Sequence, residues 1–278
     1  MAPPVGPHWG SRLQALPQAA FFLLLEAAVG GTIALFWVHL RGEVNRGFTL
    51  FTGVCLLVLA ALAIWLRGAF PPTAVGPTAA LWSAAEQWLS LAFAAGLGLY
   101  LIGLRAQAWG ERIAVLGRLV PLLGLASLWC AALVMPGPQL FGLGTPLAVL
   151  AGAMALGSAI TGLSLGHWYL VSPALSVRPL IELTFVCLGA LLAQIVLLPL
   201  LLFAASGAGS LVSDYALFFG VRVVFGLVVP LAAGVMTWRT ARIRSLDSAT
   251  GLLYIVAALI LAGEIAARTL FFLTGVAT

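Results

Sequence analysis

The sequence contains few charged residues and no lysine. Charged side chains make up 8% of its 278 residues, whereas hydrophobic side chains make up 63%. A soluble domain carries about a quarter charged residues, so this composition excludes one and indicates an integral membrane protein. The 13 basic residues are all arginines, and they are spread along the chain. The net charge of +5 therefore reports on membrane orientation and not on nucleic-acid binding.

Cysteine is also scarce. Cys55, Cys130 and Cys187 each stand alone in a hydrophobic run, without a CxxC or Cys/His spacing. This pattern excludes an iron–sulfur cluster or a zinc site formed by this chain alone. We interpret the three cysteines as small apolar residues of the helix interior.

What the sequence has in abundance is long apolar runs separated by short stretches rich in Gly, Pro and Ser. A helix needs about 20 apolar residues to cross a hydrocarbon core of about 30 Å. Eight runs meet this length: residues 19–40, 48–67, 81–104, 113–135, 144–170, 179–206, 214–238 and 249–275. The fold class predicted for residues 1–278 is therefore an all-α integral membrane protein, a single bundle of eight transmembrane helices.

The arginines predict the orientation of this bundle. One side has Arg12 and Arg67, whereas the connections 1–2, 3–4, 5–6 and 7–8 on the other side contain most of the rest: Arg41, Arg46, Arg105, Arg112, Arg178, Arg239, Arg242 and Arg244, with Arg118 nearby. Because cytoplasmic loops are enriched in basic residues, both termini are predicted to be extracytoplasmic.

A group of ionisable residues falls inside the predicted helices towards the extracytoplasmic side. At 1.5 Å per residue, Glu26, Arg222 and Arg268 lie about 10–12 Å from that face. Glu264 lies one turn deeper, Glu86 lies nearer the surface, and Asp214 lies at the start of the seventh span. Charges at membrane depth are costly unless they are paired or hydrated, so each is a functional hypothesis.

Two interpretations of this layer stay open. Glu264 and Arg268 are four residues apart, and a buried ion-pair network could simply hold the bundle together. Alternatively, the layer forms a polar pocket for a lipid-soluble quinol, in which a carboxylate accepts a proton and a guanidinium stabilises the resulting anion. A proton-coupled transporter, or a proton-conducting module, would use the same acids without redox chemistry.

A second group of residues lies on the opposite side, at His39 and in the segment "GHWYL" with His167, Trp168 and Tyr169. Two histidines could ligate a haem b iron axially. Both lie close to predicted helix ends, where His, Trp and Tyr anchor a helix at the interface, and we favour anchoring.

Two blocks resemble the DmsC-like membrane anchor subunits of dimethyl sulfoxide reductase-type molybdoenzymes. "LAGEIAARTLFF" resembles the last helix of that family, and "SDYALFFGVRVV", with Asp214, Tyr215 and Arg222, resembles the helix before it. "LLEAAVGGTIAL" and "GTPLAVLAGAMALGSA" are similar to its first and fifth helices. The chain has Glu26 where the family has Gln. It has Leu66, followed by Arg67, where the family has the His of a His-Leu-Gly turn implicated in quinone binding.

The resemblance implies a membrane anchor, related in role to NrfD/PsrC-type anchors, that exchanges electrons between quinone (menaquinone or ubiquinone) and an iron–sulfur subunit. That subunit would serve a molybdopterin catalytic subunit on the extracytoplasmic face of a prokaryotic plasma membrane. The anchor itself would carry no metal. In this interpretation Glu26 and Glu264 are proton acceptors or relays, and an alternative is an anchor that keeps the fold without the quinone site. The other candidate quinone-binding residues are Arg67, Glu86, Asp214, Tyr215, Arg222 and Arg268.

Overall fold

The computed structural model describes residues 9–72, 77–107, 111–134, 139–172, 175–205 and 208–278. Eight of its helices are long and apolar enough to cross a membrane, which indicates a multi-pass membrane protein and confirms the predicted number of spans. They are α1 Trp9–His39, α2 Arg46–Ala69, α3 Pro77–Ala106, α4 Glu111–Val134, α5 Gly144–Val171, α6 Arg178–Phe203, α7 Ala216–Arg242 and α8 Leu246–Thr274. A six-residue helix, Ala208–Ser213, precedes α7.

Each predicted span overlaps one of these helices, and the ends differ by a few residues. Most helices continue past the apolar run into polar residues such as Arg46, Arg105 and Arg242. Long arginine side chains at a helix end can reach the polar interface, so the helix extends beyond the apolar run. Local signals then set the ends: the Asn45 side chain accepts a hydrogen bond from the Phe48 N–H at 2.8 Å and caps α2.

Helices α1 and α5 form the centre of the bundle. In the membrane-spanning part of α1, 78% of the residues are buried, and in that of α5 the figure is 61%, against 28–44% in the other six helices. Helix α1 contacts α2, α4, α5 and α8, and α5 contacts α1, α2, α4, α6 and α8. The remaining helices surround this central pair.

Glycines let two pairs of helices approach until their backbones touch. A Cβ added to Gly30 of α1 would lie 1.8 Å from the carbonyl oxygen of Ala153 in α5, and one added to Gly157 would lie 2.1 Å from the Gly30 carbonyl carbon. Between α7 and α8, a Cβ on Gly226 would lie 2.6 Å from the Gly263 Cα, and one on Gly263 would lie 2.2 Å from the Gly226 Cα. Such small-residue contacts replace hydrophobic packing as the basis of helix association in lipid.

Helix α7 contains a π-helical segment over Val221–Val228. The Val229 N–H bonds to the Val224 carbonyl, five residues back. Pro230 follows, and because proline lacks an N–H and its ring crowds the carbonyl four residues earlier, regular α-helical bonding cannot continue through this point. The wider turn changes the direction in which the side chains of this segment, including Arg222, leave the helix.

The connections α1–α2, α3–α4, α5–α6 and α7–α8, which carry most of the arginines, define what we name the arginine end. There the Arg41 Nη1 lies 2.5 Å from Glu182 Oε1, and the Arg178 Nη1 lies 3.8 Å from Glu43 Oε1. The contacts join the first connection to the start of α6.

Candidate functional site

The predicted layer of charges separates into two buried groups in the structure. The first group, the core network, contains Glu26, Gln194, Arg222, Glu264 and Arg268. The second, the Arg67 cluster, contains Gln18, Arg67, Glu86, Ser90 and Ser127. Glu86, which the sequence placed in the same layer as Glu26 and Glu264, is therefore bonded to Arg67 and not to the arginines of α7 and α8.

Arg268 connects three helices of the core network. Its Nη2 lies 2.8 Å from Glu26 Oε1 and 3.1 Å from Glu264 Oε2, and it donates to the Ala148 carbonyl of α5 at 3.4 Å. The contact with Glu26 has the distance of an ion pair but not the angles of a hydrogen bond. The i, i+4 pair of Glu264 and Arg268 is the one that the sequence spacing suggested.

Arg222 connects the other side of the same network. Its Nη1 donates to Glu264 Oε1 at 3.0 Å, and its Nη2 donates to Gln194 Oε1 and to the main-chain oxygen of Thr278, the latter at 3.1 Å. Gln194 in turn donates to the Ala151 carbonyl at 3.2 Å. Two carboxylates and two guanidiniums thus balance one another and tie together α1, α5, α6, α7 and α8.

The core network is closed to ligands. Its four charged side chains are at most 2% exposed. A Cβ on Gly152 would lie 2.7 Å from Glu264 Oε2 and 2.8 Å from Arg268 Nη2, so the backbone of α5 fills the space on that side. The gap between Gln194 and Arg222 is too small for one water molecule. The geometry fits a structural clamp, the first of the two interpretations of this layer.

The Arg67 cluster joins the first four helices. Arg67 Nε donates to Glu86 Oε2 at 2.7 Å, and its Nη1 donates to Gln18 Oε1 at 2.7 Å. Ser90 contacts Glu86 Oε1 at 3.3 Å and the Ser127 hydroxyl at 2.6 Å. Arg67 and Glu86 are 2% and 1% exposed, so the ion pair is as buried as those of the core network.

Unlike the core network, the Arg67 cluster borders a cavity. The cavity has a volume of about 260 Å³ and is lined by Arg67, Gly68, Glu86, Ser90 and Leu91, among others. Gly68 and Leu91 are exposed, so the cavity opens sideways between α2 and α3 towards the surrounding lipid.

Hydrogen-bond donors of the buried arginines are not all satisfied. Arg67 Nη2, which carries two N–H groups, is buried and has no hydrogen-bond partner among the described residues. The Nε atoms of Arg222 and Arg268 are also unpaired, but each carries one N–H and lies in the closed network. Among the buried arginines of the described residues, Arg67 therefore combines unused donors with a neighbouring cavity.

Asp214 and Tyr215 join neither group. Asp214 is exposed in the turn before α7 and accepts a hydrogen bond from the Ser213 hydroxyl at 2.8 Å. Tyr215 is half-buried and packs beside Leu211 and Leu270. They lie at the edge of the bundle, and the structure gives neither of them a contact with a buried charge.

The two predicted interface histidines have different surroundings. His39 Nδ1 lies 3.0 Å from the Thr49 hydroxyl, and its ring lies beside Tyr100, whereas His167 is exposed on α5. Within the described ranges, no three His, Cys, Asp or Glu side chains come close enough to hold a metal ion. Cys130 and Cys187 are buried, as the sequence predicted, but Cys55 is exposed.

Sequence reasoning missed the neutral polar partners. Gln194 is a lone amide in the apolar run "LLAQIVLL" of α6, which is a usable signal because amides are costly in lipid. Gln18, Ser90 and Ser127 gave no such signal, since small hydroxyls are common in membrane helices and Gln18 lies near a helix end.

Comparison with protein-family models, curated proteins and solved structures found no match to this chain. The resemblance to DmsC-like anchors therefore stays a prediction. The geometry of the core network and of the Arg67 cluster is the structural basis for a function.

Proposed function

We propose that this chain is the quinone-binding membrane anchor subunit of an oxidoreductase complex, and that the cavity of the Arg67 cluster holds the quinone ring. The observation that carries this proposal is the buried Arg67 Nη2, an unsatisfied donor on a side chain that lines a cavity together with Glu86. A quinone oxygen at the inner end of the cavity would supply the missing acceptor.

The residues of the cavity suit the chemistry of a quinol, which supplies two electrons and two protons when it is oxidised. Arg67 donates hydrogen bonds to a ring oxygen and stabilises negative charge on it. Glu86 accepts a proton, and its existing contacts with Arg67 and Ser90 hold the carboxylate in place. The opening between α2 and α3 admits a long apolar tail from the bilayer.

The rest of the assignment rests on the DmsC-like resemblance and on the arginine distribution. Both termini face the extracytoplasmic side of a prokaryotic plasma membrane, where an iron–sulfur subunit exchanges electrons with the quinone and connects to a molybdopterin catalytic subunit. The Arg67 cluster then lies at the extracytoplasmic end, since it is opposite to the arginine end. In this proposal Glu26 and Glu264 hold the bundle together, and Glu86 takes over the proton-accepting role.

A proton-coupled transporter is the second candidate. The observation that favours it is the π-helical segment of α7, which places Arg222 in the ionic network and is a local irregularity of the kind that transporters use. Purification from native membranes separates the two candidates. An anchor co-purifies with an iron–sulfur protein and a large catalytic subunit, whereas a transporter is purified without them.

The binding site is tested by filling the cavity without removing a charge. Leu91→Trp places an indole at the cavity, and Leu99→Trp makes the same change at an exposed position of α3 that does not line it. We expect Leu91→Trp to weaken binding of decylubiquinone or a short-chain menaquinone by at least about tenfold in calorimetry, which corresponds to about 1.4 kcal/mol. Equal binding by both variants would show that the ring lies elsewhere.

Arg67→Gln and Arg118→Gln form a second matched pair, because Arg118 is exposed on α4. If Arg67 donates to the quinone, binding is lost in the first variant and kept in the second. A folded Arg67→Gln variant with unchanged affinity would contradict the proposal. Circular dichroism and gel filtration establish that the variant is folded.

A further inference from the structure

A second cavity lies between α2 and α3, near the arginine end. It has a volume of about 740 Å³ and is lined mainly by apolar side chains, including Leu50, Val54, Leu101 and Ile102, with Arg105 as its charged residue. It shares no lining residue with the cavity of the Arg67 cluster. Their nearest lining residues on α2, Leu57 and Ile64, are about 10 Å apart along the helix, so the two cavities are separate sites.

The space exists because α2 and α3 meet through small residues. A Cβ on Gly53 would lie 2.5 Å from Leu101 Cδ2, so the leucine rests against the α2 backbone at this level. Gly98 lines the cavity, and a Cβ there would have only an ordinary contact, 3.8 Å from Leu57 Cδ2. With no side chain at Gly98, an apolar groove stays open on the outside of the bundle, where lipid lies.

Arg105 lines one end of this groove, and Arg46, four residues before the lining residue Leu50 on α2, lies just beyond it. Because Gly53 lies opposite Leu101 in an antiparallel pair, Arg46 falls about one helical turn beyond Arg105 along the bundle. Both side chains are exposed, and no acidic side chain of the described part of the chain pairs with either. Helix α2 also begins here, so the positive end of its dipole adds to the same field.

We propose that this groove binds one anionic phospholipid. An acyl chain lies along the apolar walls, and the headgroup phosphate lies between the guanidiniums of Arg105 and Arg46. An apolar groove that ends in two unpaired guanidiniums at the interface complements a long hydrocarbon tail that ends in a phosphodiester. An anionic phospholipid offsets one of the two positive charges, whereas a zwitterionic lipid, whose net charge is zero, offsets neither, so the site selects a headgroup with net negative charge.

The charge requirement is tested with the purified full-length chain in detergent, titrated with phosphatidylglycerol or phosphatidylcholine and observed by native mass spectrometry. We expect one phosphatidylglycerol to be retained per chain, with at least about tenfold weaker retention of phosphatidylcholine. The double variant Arg46→Gln/Arg105→Gln loses this preference. The control Arg239→Gln/Arg242→Gln, with the same change in charge at the end of α7, keeps it.

The groove itself is tested by Gly98→Leu, which fills the space without changing the charge, against Gly251→Leu, where an added side chain meets nothing within 4 Å. Loss of the retained phosphatidylglycerol in Gly98→Leu alone supports the proposal. Unchanged retention in Gly98→Leu, or in the double arginine variant, would overturn it. Occupation of the groove by a helix of a partner protein, seen as protection of Gly98→Cys from labelling in the complex only, would overturn it as well.

Discussion

The buried arginines of this bundle differ in how many of their N–H groups are hydrogen-bonded to protein acceptors. Arg222 gives both of its terminal nitrogens to protein acceptors, namely Glu264, Gln194 and a main-chain oxygen. Arg67 keeps a terminal nitrogen unpaired and lines a cavity. An arginine whose terminal nitrogens are both paired in a dry site holds helices together. An arginine with an unpaired donor beside a cavity can also bind a ligand there. The distinction depends on individual N–H groups, which burial alone does not reveal.

At this scale we expect Glu264→Gln to be strongly destabilising. Glu264 contacts both Arg222 and Arg268, and its removal leaves two buried guanidiniums with Glu26 as the one remaining carboxylate of the network. Breaking a buried pair by removing one partner costs about 3–5 kcal/mol. The free energy of unfolding in mixed micelles, titrated with dodecyl sulfate, measures this loss.

Glu43→Gln is the matched control, because Glu43 is partly exposed and lies 3.8 Å from an arginine that is itself exposed. Its loss should change the free energy of unfolding by less than about 1 kcal/mol. Similar effects of the two substitutions would contradict the clamp assigned to the core network.

Which residues are charged and how deep they lie could be predicted from the sequence, but their partners could not. Depth follows from counting residues along a helix, and it correctly placed Glu26, Arg222, Glu264 and Arg268 at a common level. The direction of a side chain around the helix follows from an amphipathic pattern, and helices in lipid are apolar on nearly all sides. For this reason nothing in the sequence indicated that Glu86 faces Arg67.

Pairs of helices are held at close distance where glycine faces glycine or a backbone carbonyl. The contact of Gly226 with Gly263 brings α7 and α8 together within a few residues of Arg222 and Glu264. The ion pair and the glycine contact therefore depend on each other, since a wider helix separation would also lengthen the bond between Arg222 and Glu264.

Gly263→Ala should accordingly separate α7 from α8. The added Cβ would lie 2.2 Å from a backbone atom that cannot rotate away, and we expect a loss of about 1–3 kcal/mol in the free energy of unfolding. In Gly251→Ala the added Cβ meets open space, and the better helix propensity of alanine should raise stability by up to about 1 kcal/mol. A stabilising effect of both substitutions would show that the backbones of α7 and α8 are not in contact at Gly226 and Gly263.

At the scale of the whole molecule, the two ends of the bundle differ in their charged residues. At the arginine end, partly exposed ion pairs join the α1–α2 connection to the start of α6, whereas the other end contains the two buried groups. Eight spans and the side with more arginines could be predicted from the sequence. The central position of α1 and α5 could not, because their hydropathies of 2.0 and 1.7 fall within the range of the outer helices.

The predicted orientation can be measured with single cysteines in a background without Cys55, Cys130 and Cys187. Phe141→Cys lies in the α4–α5 connection and Ile243→Cys in the α7–α8 connection, and both positions are exposed. If the arginine end is cytoplasmic, a membrane-impermeant maleimide labels the first variant in intact cells and the second only after permeabilisation. The reverse pattern would place both termini in the cytoplasm.

The core network also has a consequence for how the protein is made. It joins α1 to α8, so Glu26 enters the membrane while Arg268 is still to be synthesised. At 5–20 residues per second, the ribosome supplies that partner on the order of ten seconds or more later. Until then, the apolar residues of α1 must offset the cost of holding the unpaired Glu26 carboxylate in the membrane. Completion of α8 neutralises it, and a prematurely ended chain would keep an unpaired charge by which quality-control proteases could distinguish it from the finished protein.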